Sequence, residues 1–136
     1  FTNGCFDLLH AGHVAYLRKA SQQADCFILA LNSDESVRKI KGASRPVLEE
    51  QDRIAVLSAL ECVDYITVFD TENVIPLLDV LRPEVYVKGG DYTIDTINQV
   101  ERRFLEGYGA EIVLLTGIEG ASTTEILRRI HGDNIC

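Results

Sequence analysis

A regular alternation of short apolar runs with segments of helical period constrains this 136-residue chain more than any other feature. The apolar runs, which predict buried strands, lie at 26–31, 65–69, 85–87 and 112–115, with Phe1 at the end of an earlier strand. Between them, apolar residues recur every three or four positions, which predicts helices over about 12–22, 33–40, 49–60, 74–81, 95–107 and 123–131. Strands and helices therefore take turns along the whole chain.

Strands that alternate with helices of this length form βαβ units with right-handed crossovers. The sequence therefore predicts an α/β fold, namely a Rossmann-like, doubly wound parallel sheet of five strands with helices on both faces. Residues 1–136 are expected to form a single domain, because a chain of this length buries enough surface for one core. In such sheets ligands bind beyond the carboxyl ends of the strands, where the strand order reverses.

The charge balance argues against polyanionic macromolecules as partners. The chain has 21 acidic and 13 basic residues, a net charge of −8, whereas broad binding of nucleic acid or anionic lipid needs a basic surface. No apolar run approaches the roughly 18 residues of a membrane span. Any phosphate ligand must therefore meet a few cations and backbone donors gathered in one place.

The cysteines and the lack of methionine indicate the cellular setting and the extent of the chain. Cys5, Cys26, Cys62 and Cys136 form no CxxC pair, which favours free thiols in a reducing cytoplasm. Because the sequence contains no Met and opens on Phe1, we expect an upstream segment that includes the start of the first strand.

Two histidines follow the first strand at the start of the first predicted helix. His10 and His13 are three positions apart, so both imidazoles lie on one helix face, beside free backbone N–H groups that attract phosphate. Gly12 removes a side chain where a ligand approaches. Neutral or protonated, the rings can donate hydrogen bonds to an α-phosphate without forming a covalent bond. The alternatives are ordinary hydrogen-bonded histidines, and a zinc site with Cys5 that lacks its remaining ligands.

Polar and flexible residues also follow a later strand and precede the last helix. Residues 88–91 place a cation, two glycines and an acid after a strand, which suits phosphate binding or is simply a strand-ending turn. Tyr92 either packs on a sugar or closes that loop. Residues 122–125 have the capping-box pattern, and their hydroxyls can also donate to phosphates.

Further cations lie after the second predicted helix and on later helices. Lys41 and Arg45 fall in the longest predicted loop, 39–47, where flexible cations can close over a bound nucleotide. Arg53, at the start of the third helix, is by default part of an exposed ion pair. Arg128 either assists phosphate binding or is a solvated charge.

The segment Gly4-Cys5-Phe6-Asp7, followed by His10-Ala11-Gly12-His13, resembles the signature of the cytidylyltransferase-like nucleotidyltransferases. The likeness continues in order along the chain, where it is greatest to the adenylyltransferase domains of ADP-heptose synthases. The segments that carry it are 32–34, 41–42, 45–47, 52–53, 63–65, 87–92 and 119–124. Because they cover essentially the whole chain, the resemblance is more specific than the His-x-Gly-His motif alone.

The resemblance implies transfer of AMP from ATP to a sugar 1-phosphate, D-glycero-β-D-manno-heptose 1-phosphate in that branch, with release of pyrophosphate. It implies catalytic roles for His10, His13 and Lys88. Nucleotide-binding roles fall on Thr2, Asn3, Gly4, Phe6, Gly12, Arg53, Gly89, Ser122, Thr123 and Thr124. Substrate-binding roles fall on Asp7, Asn32, Asp34, Lys41, Gly90 and Asp91. Mg²⁺ is expected on the nucleotide phosphates rather than on protein ligands, and the family also implies a homodimer and a sugar kinase, fused or separate.

The run 117–124, which includes Ile118, lacks the arginine that opens the corresponding Arg-Thr-Glu-Gly-Ile-Ser-Thr-Thr run of the cytidylyltransferases for glycerol phosphate and choline phosphate. Together with residues 88–92, this favours the adenylyl branch. The alternatives are a cytidylyltransferase for glycerol 3-phosphate or a similar alcohol phosphate, and a nucleotide-binding module without catalysis. For Asp7 two roles stay open, orienting substrate hydroxyls or a histidine, and hydrogen-bonding the turn.

Overall fold

The computed structural model describes residues 1–118 and 122–132, which form five strands and six helices. The strands are β1 (Thr2–Gly4), β2 (Ile28–Asn32), β3 (Tyr65–Phe69), β4 (Val85–Gly89) and β5 (Glu111–Leu115). The helices are α1 (Ala11–Ser21), α2 (Asp34–Lys41), α3 (Glu50–Ser58), α4 (Ile75–Leu81), α5 (Gln99–Gly107) and α6 (Thr123–His131). The predicted alternation is confirmed, with two helices between β2 and β3.

The strands are parallel and form two hydrogen-bonded sheets rather than one continuous ladder. One sheet has the order β1-β2-β3 and the other pairs β4 with β5. The border between them lies at β1 and β4, where the backbone nitrogen of Val87 donates to the carbonyl of Phe1 at 2.8 Å and that of Phe1 donates to Val85 at 2.9 Å. Since β1 has only three residues, these bonds are too few to count as a ladder. The spatial order 3-2-1-4-5 reverses between β1 and β4.

Helices cover both faces of the strands, as predicted for a doubly wound fold. Leu29 and Leu31 of β2 pack in a buried cluster with Leu17 of α1. Ala30, between them, belongs to a second cluster with Leu105 of α5. Because successive side chains of a strand point to opposite faces, this alternation places α1 and α5 on opposite sides of the sheet.

Helix α5 begins four residues later than the predicted start at 95, because Asn98 fixes its end. The Asn98 side-chain oxygen accepts hydrogen bonds from the backbone of Val100 and Glu101 at 3.0 and 3.1 Å. Asparagine is a strong helix N-cap, whereas the residues before it form a turn between Thr93 and Thr96.

The structure bears on two expectations, that the cysteines are free thiols and that no segment is apolar enough to span a membrane. Cys5, Cys26 and Cys62 are free thiols, and Cys136 lies outside the described residues. None of the helices in the described part of the chain is long and apolar enough to cross a membrane.

Candidate active site

An open cleft of about 530 Å³ lies at the carboxyl ends of β1 and β4, where the strand order reverses. Its lining brings together most of the predicted site residues: Asn3, Gly4, Phe6, Asp7, His10, Gly12, His13, Lys41, Lys88, Gly89, Gly90, Ser122, Thr123 and Thr124. The lining also includes Cys5, Tyr16, Arg45, Tyr92 and Ile118.

Thr2 and Asp91 are among the predicted site residues that do not line the cleft. Thr2 is fully buried, and its hydroxyl donates to the carbonyl of Val87 at 2.9 Å and lies 2.7 Å from the Tyr16 hydroxyl. It therefore ties β1 to β4 and α1, and its side chain is not available to a nucleotide. Asp91 is exposed beside the cleft rather than in it.

His10 and His13 form the floor of the cleft as a stacked pair, with ring centroids 3.8 Å apart and planes 20° from parallel. His10 is the N-cap of α1, and its Nδ1 accepts from the backbone nitrogens of Gly12 and His13 at 3.1 and 3.3 Å. In return, His13 Nδ1 accepts from the backbone nitrogen of His10 at 3.4 Å. The N–H groups of Gly12 and His13 are therefore not free for phosphate, contrary to the expectation from sequence.

This reciprocal cap fixes the protonation of both rings. Each Nδ1 accepts a hydrogen bond, so it carries no proton, and the proton of a neutral ring lies on Nε2. Burial lowers the pKa of His10, and burial with the charges of His10 and Lys41 lowers the pKa of His13 to about 4. Both rings are thus neutral at pH 7, with Nε2–H as the donor left for a ligand.

The turn between β1 and α1 is held in unusual backbone conformations. Phe6 and Leu8 have φ of +46° and +50°, in the left-handed region that bulky residues rarely adopt. The Phe6 ring packs edge-on against His13, with 5.4 Å between the ring centroids. A Cβ added to Gly4 would lie only 2.9 Å from this ring, so the packing leaves no room for a side chain there. Strain of this kind is characteristic of functional turns. In this turn the Phe6 ring contacts the His13 ring.

Asp7 fastens the loop between α2 and α3 rather than facing the cleft with a free carboxylate. Its side chain is fully buried; Oδ2 accepts from Arg45 Nε and the Val47 nitrogen at 2.8 Å each, and Oδ1 accepts from the Leu48 nitrogen at 3.0 Å. Burial alone would raise the pKa of Asp7, but the backbone bonds from Leu48 and Val47 and the Arg45 guanidinium bring it below its usual value. These bonds make Asp7 a loop anchor, and its contact with a substrate stays a prediction.

Arg53 is a buried hub and not an exposed cation, with 1% of its surface accessible. Its Nε donates to the carbonyl of Leu48 at 3.1 Å, and its Nη1 donates to the carbonyls of Cys5 and Asn32 at 2.9 and 2.8 Å. Its Nη2 pairs with Asp34 at 2.7 Å. Every guanidinium nitrogen therefore already has an acceptor within the protein, and the nucleotide contact stays a prediction.

Asn32 and Asp34 belong to the same hub and do not line the cleft. Asn32 is buried, and its Nδ2 donates to Ser36 Oγ at 2.9 Å while its carbonyl accepts from Arg53. Asp34 neutralises the Arg53 guanidinium. Both residues join the end of β2 to α3, and their substrate roles stay predictions.

Lys88 and two glycines form the cleft wall at the end of β4. Lys88 Nζ lies 5.2 Å from the centroid of the Tyr92 ring, which places Tyr92 against a cation in the cleft. A Cβ at Gly89 would lie 2.5 Å from the Tyr16 ring, so glycine is required for the close packing of β4 on α1. Gly90 has φ of +100° and turns the chain away from the strand.

Tyr16 is a lining residue that the motifs did not single out. Its hydroxyl donates to the carbonyl of Val87 at 3.1 Å, and burial raises its pKa to about 12. The available signal was its spacing, since Tyr16 lies three positions after His13 on the same helix face. It supports the floor of the cleft from below.

The start of α6 supplies hydroxyl groups, but not through the full capping box. Ser122 Oγ accepts from the Glu125 nitrogen at 3.1 Å, as predicted. The Glu125 carboxylate pairs instead with Arg128 and Arg129, at 2.8 and 2.9 Å, and these bonds lower its pKa to about 2. Thr123 Oγ1 donates to the Asp7 carbonyl at 2.9 Å, so it anchors α6 to the cleft. Residues 119–121 lie outside the described part of the chain.

A second buried polar group reaches the cleft from the opposite face of the sheet. The Tyr86 hydroxyl lies 3.1 Å from Asn3 Oδ1 and 3.3 Å from Glu101 Oε2, and Glu101 Oε1 accepts from the Val74 nitrogen. Burial, followed by the neighbouring Glu101 carboxylate, raises the pKa of Tyr86. The Asn3 amide is thus held from behind, a contact that the sequence pattern did not predict.

Curated relatives match almost the whole chain. The bifunctional proteins HldE of Syntrophotalea carbinolica and Geobacter sulfurreducens are 52% and 49% identical over 130 residues, 96% of this chain and 26% of each relative. The HldE of Alcanivorax borkumensis is 50% identical over 131 residues. The chain therefore spans about a quarter of the length of these relatives.

The fold and the family also match known proteins. A lipopolysaccharide core biosynthesis protein from Thermoplasma volcanium superposes with a TM-score of 0.69 at 22% identity, over 89% of this chain and 95% of that one. That likeness supports the Rossmann-like fold. The sequence matches the cytidylyltransferase-like family over residues 1–129. The chain therefore belongs to the cytidylyltransferase-like family, and its enzyme class is that of the nucleotidyltransferases.

Proposed function

We propose that this chain is the adenylyltransferase domain of a longer protein and transfers AMP from ATP to a heptose 1-phosphate, giving ADP-heptose and pyrophosphate. The observation that carries the proposal is the stacked pair of neutral histidines, His10 and His13, with both Nε2–H groups left for a ligand. The motif resemblance to ADP-heptose synthases, and the lack of an arginine at the start of the run 117–124, favour the adenylyl, heptose branch.

The chemistry needs charge stabilisation more than acid–base groups. An oxygen of the sugar phosphate forms a bond to the α-phosphorus of ATP while the bond to the β-phosphate oxygen breaks, and pyrophosphate leaves. A phosphate nucleophile is already ionised at pH 7, so it needs no general base. The cleft fits this requirement, because Asp7 is the one acidic residue in the described lining and both of its oxygens are occupied.

The residues of the cleft contact different phosphates of the bound nucleotide. The Nε2–H groups of His10 and His13 donate to the α-phosphate oxygens, where negative charge builds in the transition state. Lys88 and the hydroxyls of Ser122 and Thr124 hold the remaining phosphates. Their fixed positions supply the alignment that an in-line displacement needs.

Mg²⁺ fits this cleft only as a partner of the nucleotide. Among the described residues, no group of three or more His, Cys, Asp or Glu side chains is placed to hold a metal ion, and the lining donors are cations, amides and hydroxyls rather than free carboxylates. When bound to the nucleotide phosphates, Mg²⁺ would supply positive charge beside the pyrophosphate group.

The wider setting of the reaction is inferred from the relatives. Because they are described as bifunctional and are about four times as long as the matched region, we propose that a second domain, a sugar kinase, belongs to the same polypeptide or acts beside it. The free cysteines favour a reducing cytoplasm. A homodimer stays a prediction from the family.

The direct test is pyrophosphate release by the purified protein with ATP, Mg²⁺ and heptose 1-phosphate. We expect turnover with this pair and none with CTP and glycerol 3-phosphate. The opposite result would place the chain in the cytidylyl branch. Tight binding of ATP without pyrophosphate release for any sugar phosphate would identify a nucleotide-binding module instead.

A further inference from the structure

We infer that Arg45 is a preassembled phosphate-binding residue, whose Nη2 group donates to a phosphate oxygen of a substrate in the cleft. The inference rests on the proposed function and deepens it. It assigns a ligand contact to a residue that the sequence treated as a flexible loop cation.

The observation that points to a ligand is an orphan donor. Arg45 lines the cleft, its side chain is 14% exposed, and its Nη2 is buried without a hydrogen-bond partner. In the described part of the chain, no other buried side-chain nitrogen or oxygen lacks a partner. A buried donor left unsatisfied costs about 1–3 kcal/mol, and more when it is charged. The missing acceptor for Nη2 is therefore expected to come from a ligand.

The geometry of Asp7 explains why this nitrogen stays open. An arginine commonly pairs with a carboxylate through two parallel bonds, but here only Nε reaches Asp7. The second carboxylate oxygen, Oδ1, accepts from the Leu48 nitrogen instead, and Oδ2 also accepts from the Val47 nitrogen. The carboxylate therefore fixes the guanidinium plane and leaves Nη2 without an acceptor.

The surroundings select an anion as the missing acceptor. Lys41 and Lys88 line the same cleft, and both oxygens of the Asp7 carboxylate already accept hydrogen bonds from the protein. The planar guanidinium suits phosphate oxygens, and both proposed substrates carry phosphates. The triphosphate of ATP and the phosphate of the sugar offer the same chemistry, so the experiment is designed to tell them apart.

The substitution that tests the inference is Arg45→Lys, which keeps a cation for Asp7 and removes the second nitrogen of the fork. The matched control is Arg103→Lys on α5, where the arginine is exposed and outside the cleft. Binding of ATP with Mg²⁺, of inorganic pyrophosphate and of heptose 1-phosphate is measured for each protein by isothermal titration calorimetry. Thermal unfolding without ligand reports whether each variant is folded.

We expect Arg45→Lys to weaken binding of at least one phosphate ligand about tenfold or more, the loss of one charge-assisted hydrogen bond, while Arg103→Lys binds like the parent. Loss for ATP and pyrophosphate assigns Nη2 to the triphosphate, and loss for heptose 1-phosphate alone assigns it to the acceptor. Affinities within twofold of the parent for all three ligands would overturn the inference.

Two further readouts keep the result decisive. If Arg45→Lys unfolds, Arg45→Gln retains an N–H donor for Asp7 without Nη2 and is titrated in the same way. Pyrophosphate release is measured separately on the parent. A parent that binds ATP without turnover refutes the proposed reaction, while the same titrations still decide the role of Arg45.

Discussion

Two arginines, Arg45 in the loop between α2 and α3 and Arg53 in α3, differ in how their guanidinium groups are satisfied. Arg53 donates to three carbonyls and one carboxylate, and each of its nitrogens has an acceptor within the protein. Arg45 has one carboxylate bond through Nε and a buried Nη2 without a partner. Sequence position alone would rank them as equivalent cations near a phosphate site.

The difference separates a structural arginine, Arg53, from an arginine that the fold positions for a ligand, Arg45. Removing a charge from water is tolerated only where hydrogen bonds replace the lost hydration. At Arg53 the protein supplies all of them, so the residue joins β1, β2 and α3 into one scaffold. At Arg45 the set is incomplete, and the cleft is where a ligand can complete it.

The largest effect is expected from Arg53→Lys. Three lysine donors on a single nitrogen cannot reach the spread acceptors of a guanidinium, so buried carbonyls lose their partners. We expect the free energy of unfolding to fall by about 3 kcal/mol, with a drop in Tm of roughly 10 °C. Chemical denaturation and thermal melting measure both quantities.

The same substitution at the other arginine is the control for this prediction. Arg45→Lys keeps the bond to Asp7, so its Tm should stay close to that of the parent. Equal destabilisation of the two variants would remove the distinction between a structural and a ligand-binding arginine.

The next largest effect is expected at the histidine pair, in catalysis rather than in stability. Asparagine carries a side-chain oxygen near the position of histidine Nδ1 and nothing at Nε2, so His10→Asn and His13→Asn keep the reciprocal cap. Each should lower kcat on the order of 10²-fold, the usual cost of losing one oxyanion donor. Pyrophosphate release under saturating substrates measures it.

Two results would count against the histidine roles. An unchanged kcat in both variants would show that the Nε2–H groups do not touch the reacting phosphate. A large loss of helical signal would show that the histidines act on the fold instead, as Arg53 does.

The smallest expected effect is a dependence of stability on pH. The pKa of His13 is about 4 in the folded chain, below its ordinary value of 6.5, so the unfolded chain binds more protons between these values. The free energy of unfolding should therefore decrease as the pH falls from about 6.5 towards about 4. Asp7, whose pKa is lowered from 3.8, contributes only at lower pH.

Denaturation at about pH 5 and about pH 7 separates the histidine contribution, since His13→Asn should flatten the slope between them. His10, whose pKa burial also lowers, remains in both proteins. An equally steep slope in the variant would mean that the burial of His13 does not control this part of the curve.

Local pattern carried most of the fold and much of the cleft. The apolar runs and the helical periods predicted five strands, six helices and helices on both faces, because burial depends on residue type and spacing. The motifs at 4–13, 88–90 and 122–124 placed their residues in the cleft, since the carboxyl ends of parallel strands meet at one edge of the sheet.

Residues whose role depends on long-range partners were assigned less well. Arg53, Asn32 and Asp34 were predicted to contact ligands, but they satisfy one another within the fold. Asp7 was given alternative roles, and only its bonds to Arg45, Val47 and Leu48 show that it anchors the loop. The sequence contains no local sign of contacts made across more than ten positions.

By itself, then, the sequence determined the architecture, the family and the position of the paired histidines, because each depends on local spacing. Only the tertiary structure decided which charged groups have all their hydrogen-bond partners within the protein and which have a donor left for a ligand. The distinction depends on whether each buried polar group has a hydrogen-bond partner, and Nη2 of Arg45 has none within the protein.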